Sequence, residues 1–193
     1  MIPLRLAPAS AMLMLLAACG SPDTTNPDTA PVPLPRAWPR TPLYEAAYAP
    51  VAPGSDIEVA EALEPRITRR RGADSWIDIS YPAYRATLYL SDLRFSSPAE
   101  ASDAIDNRLE RMALNAGGKN MRQTAFDTPA GYSAIVATVS SGCITPVQFV
   151  ASSPSRVVSG AFTLQTLPHS ADSLAPTLEA VRADIVHLIN QLR

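Results

Sequence analysis

Trp76-Ile77-Asp78-Ile79-Ser80-Tyr81, followed by Pro82 and then by Tyr84-Arg85-Ala86-Thr87-Leu88-Tyr89-Leu90, is the stretch of this chain that decides the fold. Apolar and polar residues alternate in the first run, which is typical of a strand with one buried face. Pro82 lacks a backbone donor and ends that strand, so the two runs form either a hairpin or one strand bent at the proline.

Four more segments after this pair have the composition of strands. Short turns rich in Gly, Pro and Ser separate them, and turns of this length favour antiparallel pairing between neighbours. The predicted strands are Asn120–Phe126, Tyr132–Val139, Pro146–Ser152 and Val157–Thr166.

A helix is predicted between the second and third strands. Ser97 can cap its first turn, Pro98 suits the first helical position, and Glu100 completes a capping box. The pair Gly117-Gly118 would end this helix. One face carries the apolar residues Ala101, Ile105, Leu109, Met112 and Ala113.

A second helix is predicted from about Ser173 to Leu192. Its apolar residues recur at spacings of three and four, so they form a stripe that must pack on the sheet. The stripe consists of Leu174, Leu178, Val181, Ile185, Leu188 and Leu192. The fold class is therefore α+β, an antiparallel sheet covered by two helices.

The first residues have the form of a bacterial export signal. A start with one positive charge, Arg5, precedes an apolar run that is too short for a membrane-spanning helix of about 20 residues. The run ends in Leu16-Ala17-Ala18-Cys19, which matches the lipobox at which a cysteine thiol is acylated before cleavage. We expect residues 1–18 to be removed and Cys19 to carry the lipid that anchors the chain to a membrane. The alternatives are an ordinary secretory signal with a chance cysteine, or a short buried helix.

The predicted organisation has three parts, namely the signal at residues 1–18, a lipidated tether at 19–35 and one domain at 36–193. The tether is rich in Pro, Ser, Asp and Thr and cannot bury a core, so it would stay extended. Gly20 rather than Asp follows the acylated cysteine, so retention at the inner membrane is not signalled. We therefore favour an outer-membrane location, with the domain facing the periplasm.

Composition limits the classes of function. A net charge of −2 offers no basic surface of the kind that nucleic acid needs. No phosphate-binding loop, metal-ligand spacing or catalytic constellation is present, so we predict no cofactor, no metal and no enzymatic activity. Cys143 is predicted to be a buried, inert thiol, His169 to lie in a loop and His187 to be partly exposed on the last helix. Asp103 and Asp106 are assigned to the solvated face of the first helix.

Two short segments raise the question of binding. The run Arg69-Arg70-Arg71 is predicted to lie in the loop before the first strand, as a solvated turn rather than a binding patch. The stretch from Pro33 to Tyr48 leaves the polar tether but keeps aromatic and basic residues, the types enriched at binding hot spots. The candidate partner contacts are Arg36, Trp38, Arg40, Tyr44 and Tyr48. The alternative is that this stretch wraps back and covers the domain's own sheet.

Several motifs, in this order, resemble the gliding-motility lipoprotein GldD family. Residues 33–40, Pro-Leu-Pro-Arg-Ala-Trp-Pro-Arg, are similar to the family's Pro-x-Pro-Arg-Gly-Tyr-x-Arg. Residues 76–88 are similar to its Trp-x-Asn-Ile-x-Tyr-Pro-x-Phe segment. Further likeness lies in Pro146-Val147-Gln148-Phe149, in residues 158–162, and in the last helix at residues 172–176 and 184–185.

The resemblance implies an outer-membrane lipoprotein facing the periplasm, needed for gliding motility and tied to the type IX secretion machinery. The chain would then be a non-catalytic accessory component that docks envelope-machinery proteins. The order of elements also resembles the PsbP/Mog1-type fold, which says nothing about mechanism. The alternative function is a periplasmic module that binds peptidoglycan or another glycan. Exposed aromatic residues in one groove, with Trp38, Trp76 and Tyr84 as candidates, would favour that alternative.

Overall fold

The computed structural model describes residues 47–140, 142–167 and 171–193. The predicted signal, the tether and most of the candidate contact segment lie outside the described residues, as does His169. Within the described ranges the chain forms two α-helices, α1 at Pro98–Ala116 and α2 at Ala171–Gln191. Neither helix is long and apolar enough to cross a membrane.

Nine strands are formed in the same described ranges. β1 and β2 make a separate two-stranded hairpin, and the other seven strands make one antiparallel sheet in the order β3-β4-β5-β9-β8-β7-β6. The strands are β1 Tyr48–Pro50, β2 Glu58–Ala60, β3 Glu64–Arg71, β4 Asp74–Tyr81, β5 Ala86–Arg94, β6 Arg122–Asp127, β7 Ser133–Thr138, β8 Val147–Ser153 and β9 Arg156–Leu164. The predicted α+β class is therefore confirmed.

The two alternatives at Pro82 are resolved in favour of a hairpin. Residues Pro82–Tyr84 form one turn of 3-10 helix, and Arg85 follows with a left-handed φ of 49°. This tight reversal lets β4 and β5 pair from Tyr81 opposite Ala86 outward. β5 consequently begins at Ala86, two residues later than predicted.

The predicted helix signals are confirmed in their main features. The Ser97 hydroxyl accepts a hydrogen bond from the Glu100 backbone N–H at 3.3 Å, and Gly117 ends α1 in a left-handed conformation. The capping box is incomplete, because the Glu100 carboxylate instead accepts from the Ser96 hydroxyl at 3.0 Å. Of the predicted apolar face, Ala113 is exposed.

The two faces of the sheet carry one helix each. On one face the whole predicted stripe of α2 is buried against strand residues such as Ile77, Leu88 and Phe162, and the β1–β2 hairpin joins this core. On the other face α1 packs over β8 and β9, where Met112 is buried with Val150. Because α1 covers only part of its face, neither helix of the described residues packs on this face of β3, β4 and much of β5.

The N-terminal part of the domain differs from the prediction. Arg69-Arg70-Arg71 does not lie in a loop, because it forms the end of β3, which pairs with β4. The pairing shifts register between Ile67 and Arg69. β3 is an edge strand, so its charged side chains reach water while its backbone is paired on one side only.

A buried ion-pair network ties the end of α2 to the sheet. Arg156 on β9 is only 1% exposed, and its guanidinium binds Asp56 in the loop before β2. The Asp56 carboxylate accepts a further hydrogen bond from the Arg193 backbone N–H at 2.8 Å. Burial acts to raise the pKa of Asp56, but these hydrogen bonds outweigh it and hold that pKa below its ordinary value.

Candidate functional site: a groove beside α1

A groove runs between α1 and the uncovered strands of the sheet. Its volume is about 510 Å³, within the range of small-molecule sites. We call it the α1 groove and define it by six lining residues from five elements. They are Arg69 on β3, Trp76 on β4, Tyr89 on β5, Arg108 and Arg111 on α1, and Gln148 on β8.

The strand side of the α1 groove is aromatic. Trp76 points away from the α2 core, since Ile77 beside it points into that core. The guanidinium of Arg69 lies 4.9 Å from the centre of the Trp76 ring, a cation–π contact that fixes the ring. Tyr89 pairs across from Asp78, one diagonal step from Trp76, and is 51% exposed. The groove therefore presents two neighbouring rings.

The helix side of the α1 groove is basic. Arg108 and Arg111 are three residues apart, so their side chains share one side of α1. Burial lowers the pKa of Arg108, and the charge of Arg111 lowers it further. Among the described residues, no ion pair joins either arginine to a carboxylate. The positions three and four away from each on α1 hold no acidic residue.

Small hydroxyl and amide side chains form the floor between these two sides. Ser91 on β5 and Ser159 on β9 share a hydrogen bond of 2.9 Å. The Gln148 side chain accepts from the Asn115 side-chain amide at 2.8 Å and donates to the Met112 carbonyl at 3.3 Å. These contacts hold α1 over β8, so aromatic rings, polar side chains and positive charge all line the groove.

Tyr48, the one candidate partner contact that is described, lies on the opposite face of the domain. Its hydroxyl donates to Asp184 on α2 at 3.0 Å, and its ring stacks on His187 with centroids 3.7 Å apart. The Tyr81 hydroxyl donates to the same carboxylate at 3.3 Å. Burial raises the pKa of Asp184 above its ordinary value, although these hydroxyls and His187 oppose the shift. Tyr48 thus fastens β1 to α2.

The remaining predicted residues are placed as follows. His187 is partly exposed, as predicted, with its Nε2 atom 3.1 Å from the Glu58 carboxylate. Cys143 is 5% exposed, which confirms a buried thiol, and its Sγ donates to the Asn115 carbonyl at 3.3 Å. The neighbouring Ile144 is half-exposed, so the apolar surroundings expected for the thiol are incomplete. Asp103 and Asp106 are exposed, as predicted.

The structure brings together a site that the sequence reasoning identified only in part. Trp76 was a candidate and lines the α1 groove, whereas Tyr84 stacks on Tyr81 at the hairpin turn. Arg36, Trp38, Arg40, Tyr44 and Cys19 lie outside the described residues. Within those that are described, no three His, Cys, Asp or Glu side chains gather closely enough to hold a metal ion.

Comparison with known proteins gives one family. The model of the family described as gliding motility lipoprotein GldD matches residues 28–193, which is most of the chain. No curated protein and no solved structure matches. The resemblance to the PsbP/Mog1-type fold therefore stays a prediction. The family match agrees with the motif order in the sequence, and the chain belongs to the gliding motility lipoprotein GldD family.

Proposed function

We propose that this protein is a non-catalytic outer-membrane lipoprotein, an accessory component of the gliding motility and type IX secretion machinery. The family match supports a gliding-motility lipoprotein. The lipobox ending in Cys19, with Gly20 after it, supports lipid anchoring and an outer-membrane address. The domain faces the periplasm and acts by binding another component of the envelope.

The α1 groove is the observation that carries the binding role. It joins a 51% exposed tyrosine, a tryptophan fixed by an arginine, and two arginines that form no ion pair with any described residue. Trp, Tyr and Arg are the residues that dominate binding hot spots. Two like charges kept side by side reduce stability, so their presence in a concave site is more consistent with binding than with packing.

Cross-linking in the native membrane tests this role. The lipoprotein is cross-linked in cells, recovered by an affinity tag and analysed by mass spectrometry. Trp76→Ala with Tyr89→Ala should remove the specific partner, whereas Leu114→Ala, which trims a 70% exposed side chain outside the groove, should not. Recovery of the same partner by the groove variant at wild-type yield would reject the groove as the binding surface.

A second function, a periplasmic module for peptidoglycan or another glycan, has support from one specific observation. Aromatic residues in a single groove are what this alternative requires, and Trp76 and Tyr89 both line the α1 groove. Co-sedimentation of the purified lipoprotein with isolated peptidoglycan sacculi tests it. Binding that is lost in Trp76→Ala with Tyr89→Ala supports the module, and equal sedimentation of both proteins counts against it.

The segment from Pro33 to Tyr48 is a separate candidate contact. At its end, Tyr48 is held against α2, as expected if the segment wraps the domain. If the segment is instead a partner contact, Trp38→Ala with Arg40→Ala should abolish partner recovery and leave Tm within a few degrees. A sharp fall in Tm with the partner still bound would make the segment a covering of the core.

A further inference from the structure

Arg108 and Arg111 form a pair of charges that the described part of the protein does not neutralise. No carboxylate lies three or four residues from either on α1, and no ion pair reaches them from the sheet. A guanidinium offers a planar fork of donors that fits a carboxylate. Two guanidinium groups on the same side of a groove are better placed to bind an anionic group of a ligand than a side chain of the protein.

The opposite side of the α1 groove, which the strands form, has an aromatic surface. Tyr89 and Trp76 stand on neighbouring strands, and Asp78 lies directly across from Tyr89. Ring faces bordered by carboxylate, hydroxyl and amide groups suit a flat ligand with many hydroxyls. A sugar ring has this character, because one face is lined by C–H groups and its rim by hydroxyls.

The floor of the α1 groove favours a glycan over an extended peptide as the ligand. β5, β9 and β8 are paired with one another along the floor, so their backbone N–H and C=O groups are already used. A peptide would therefore find no free strand edge there, and strand addition is the usual source of main-chain affinity. The polar side chains along this part of the groove are those of Ser91, Ser159, Asn115 and Gln148, and they lie beside apolar residues such as Met112 and Val150.

We propose that the α1 groove binds a carboxylated glycan, with a carboxylate held by Arg108 and Arg111 and a sugar ring resting on Tyr89 and Trp76. The proposal rests on the proposed function, in that it takes the α1 groove as the binding site, and it adds the chemical class of the ligand. Negative charge on the ligand complements Arg108 and Arg111, two charges of the groove for which the described residues supply no ion pair.

Tryptophan fluorescence of the full-length lipoprotein in detergent provides the test. The chain has two tryptophans, so Trp38→Phe leaves Trp76 as the reporter in the groove. The probes are tetragalacturonate and its carboxyl-reduced galactose counterpart. We expect the acidic probe to bind at least about tenfold more tightly, because charge-assisted bidentate hydrogen bonds exceed neutral ones. The preference should shrink as salt is added.

Variants of single arginines and of the pair show which residues cause the preference for the acidic probe. Arg108→Gln with Arg111→Gln should remove the preference for the acidic probe, whereas Arg122→Gln, an exposed arginine on β6 outside the groove, should preserve it. Tyr89→Ala should weaken binding of both probes by a similar factor. Loss of the preference in the Arg122 variant would show a diffuse charge effect and overturn the proposed carboxylate site.

Other outcomes also decide the question. Tighter binding of hexaglutamate than of tetragalacturonate would identify an acidic protein segment as the occupant and reject the glycan. Equal or undetectable binding of both sugar probes would reject the carboxylated class. If the native partner is still lost in Trp76→Ala with Tyr89→Ala, the proposed function stands and only this inference falls. If that partner is retained as well, both fail.

Discussion

Arg156 on β9 donates two hydrogen bonds to the carboxylate of Asp92 on β5, from Nε at 2.7 Å and from Nη2 at 2.9 Å. The same guanidinium holds Asp56, so one buried cation serves two carboxylates. The pair connects the two central strands of the sheet with the loop before β2 and, through Asp56, with the end of α2.

Arg156→Ala should lower the free energy of unfolding by about 3–5 kcal/mol, because it removes the buried partner of Asp56 and leaves the buried Asp92 carboxylate with only the exposed Arg94 nearby. Arg94 offers a matched control, since it lies 3.9 Å from the same Asp92 but is 43% exposed. Arg94→Ala should cost no more than about 0.5 kcal/mol. Urea unfolding followed by circular dichroism measures both, and equal losses would show that burial does not decide the difference.

Asp184→Asn should change the pH dependence of stability. The pKa of Asp184 is raised in the folded state, chiefly by burial. Its contribution is therefore complete below the ordinary pKa of about 3.9 and is lost as the pH rises through the raised value. The variant should gain stability relative to wild type as the pH rises above the ordinary pKa of an aspartate, because the wild-type carboxyl then loses its proton in a buried site. Urea unfolding across the range measures this. An unchanged gap between the two proteins would contradict it, and Asp103→Asn on the exposed face of α1 is the control.

Gly160→Ala should destabilise the sheet by about 1–3 kcal/mol through overpacking. A Cβ atom at Gly160 would lie 2.5 Å from Cε1 of Phe149, a fully buried ring directly across the β8–β9 pair. Phe149→Leu should recover part of the loss when the two changes are combined. A double-mutant cycle measures the coupling, and strictly additive losses would show that the ring is not the obstacle.

Cys143→Ser should cost only about 1 kcal/mol, because the serine hydroxyl can keep the hydrogen bond to the Asn115 carbonyl. Cys143→Val lacks a donor and leaves that carbonyl with only the weaker contact from Thr145 at 3.5 Å, so it should cost more. Thermal unfolding ranks the two variants. In the native protein, a bulky thiol reagent should label Cys143 slowly, and rapid labelling would contradict its burial.

Arg108→Gln should raise the free energy of unfolding by about 0.2–0.5 kcal/mol, since it removes a partly buried charge beside Arg111. The gain should fall at high salt, where the repulsion is screened. Arg122→Gln, exposed on β6, should change stability little. Urea unfolding at low and high salt gives the comparison, and a destabilised Arg108 variant would mean that this side chain has a structural partner.

The elements with strong local signals were predictable from the sequence. Ser97 followed by Pro98 marks a helix start through local geometry, and the stripe of α2 needs only a spacing of three and four. β3 was missed because Arg69-Arg70-Arg71 hides the alternation of a strand. At a sheet edge, arginine side chains can extend into water from both faces, so the alternation of apolar and polar residues does not reveal a strand there.

The α1 groove is harder to predict because its sides are distant in sequence. Arg69 and Gln148 meet only after β3 and β8 take their places in the sheet. One local signal did exist, namely two arginines three apart on a helix with no acidic residue within reach, at Arg108 and Arg111. Tyr89 carried no such signal, since an aromatic residue in a strand is usually part of a core.

The strand order divides the sheet into two meanders that can form separately. β3, β4 and β5 are consecutive in the chain, as are β6, β7, β8 and β9, and antiparallel hairpins of neighbouring strands form fast. The seam between β5 and β9 instead joins Arg94 to Arg156, which are separated along the chain by α1 and β6–β8. We expect the closing of this long connection to be the slow step of folding, because long-range contacts carry a large entropic cost. The Arg156–Asp92 pair lies on the seam and forms only when the seam closes. Each copy must therefore bring its two half-sheets together before either helix-facing side of the sheet is complete.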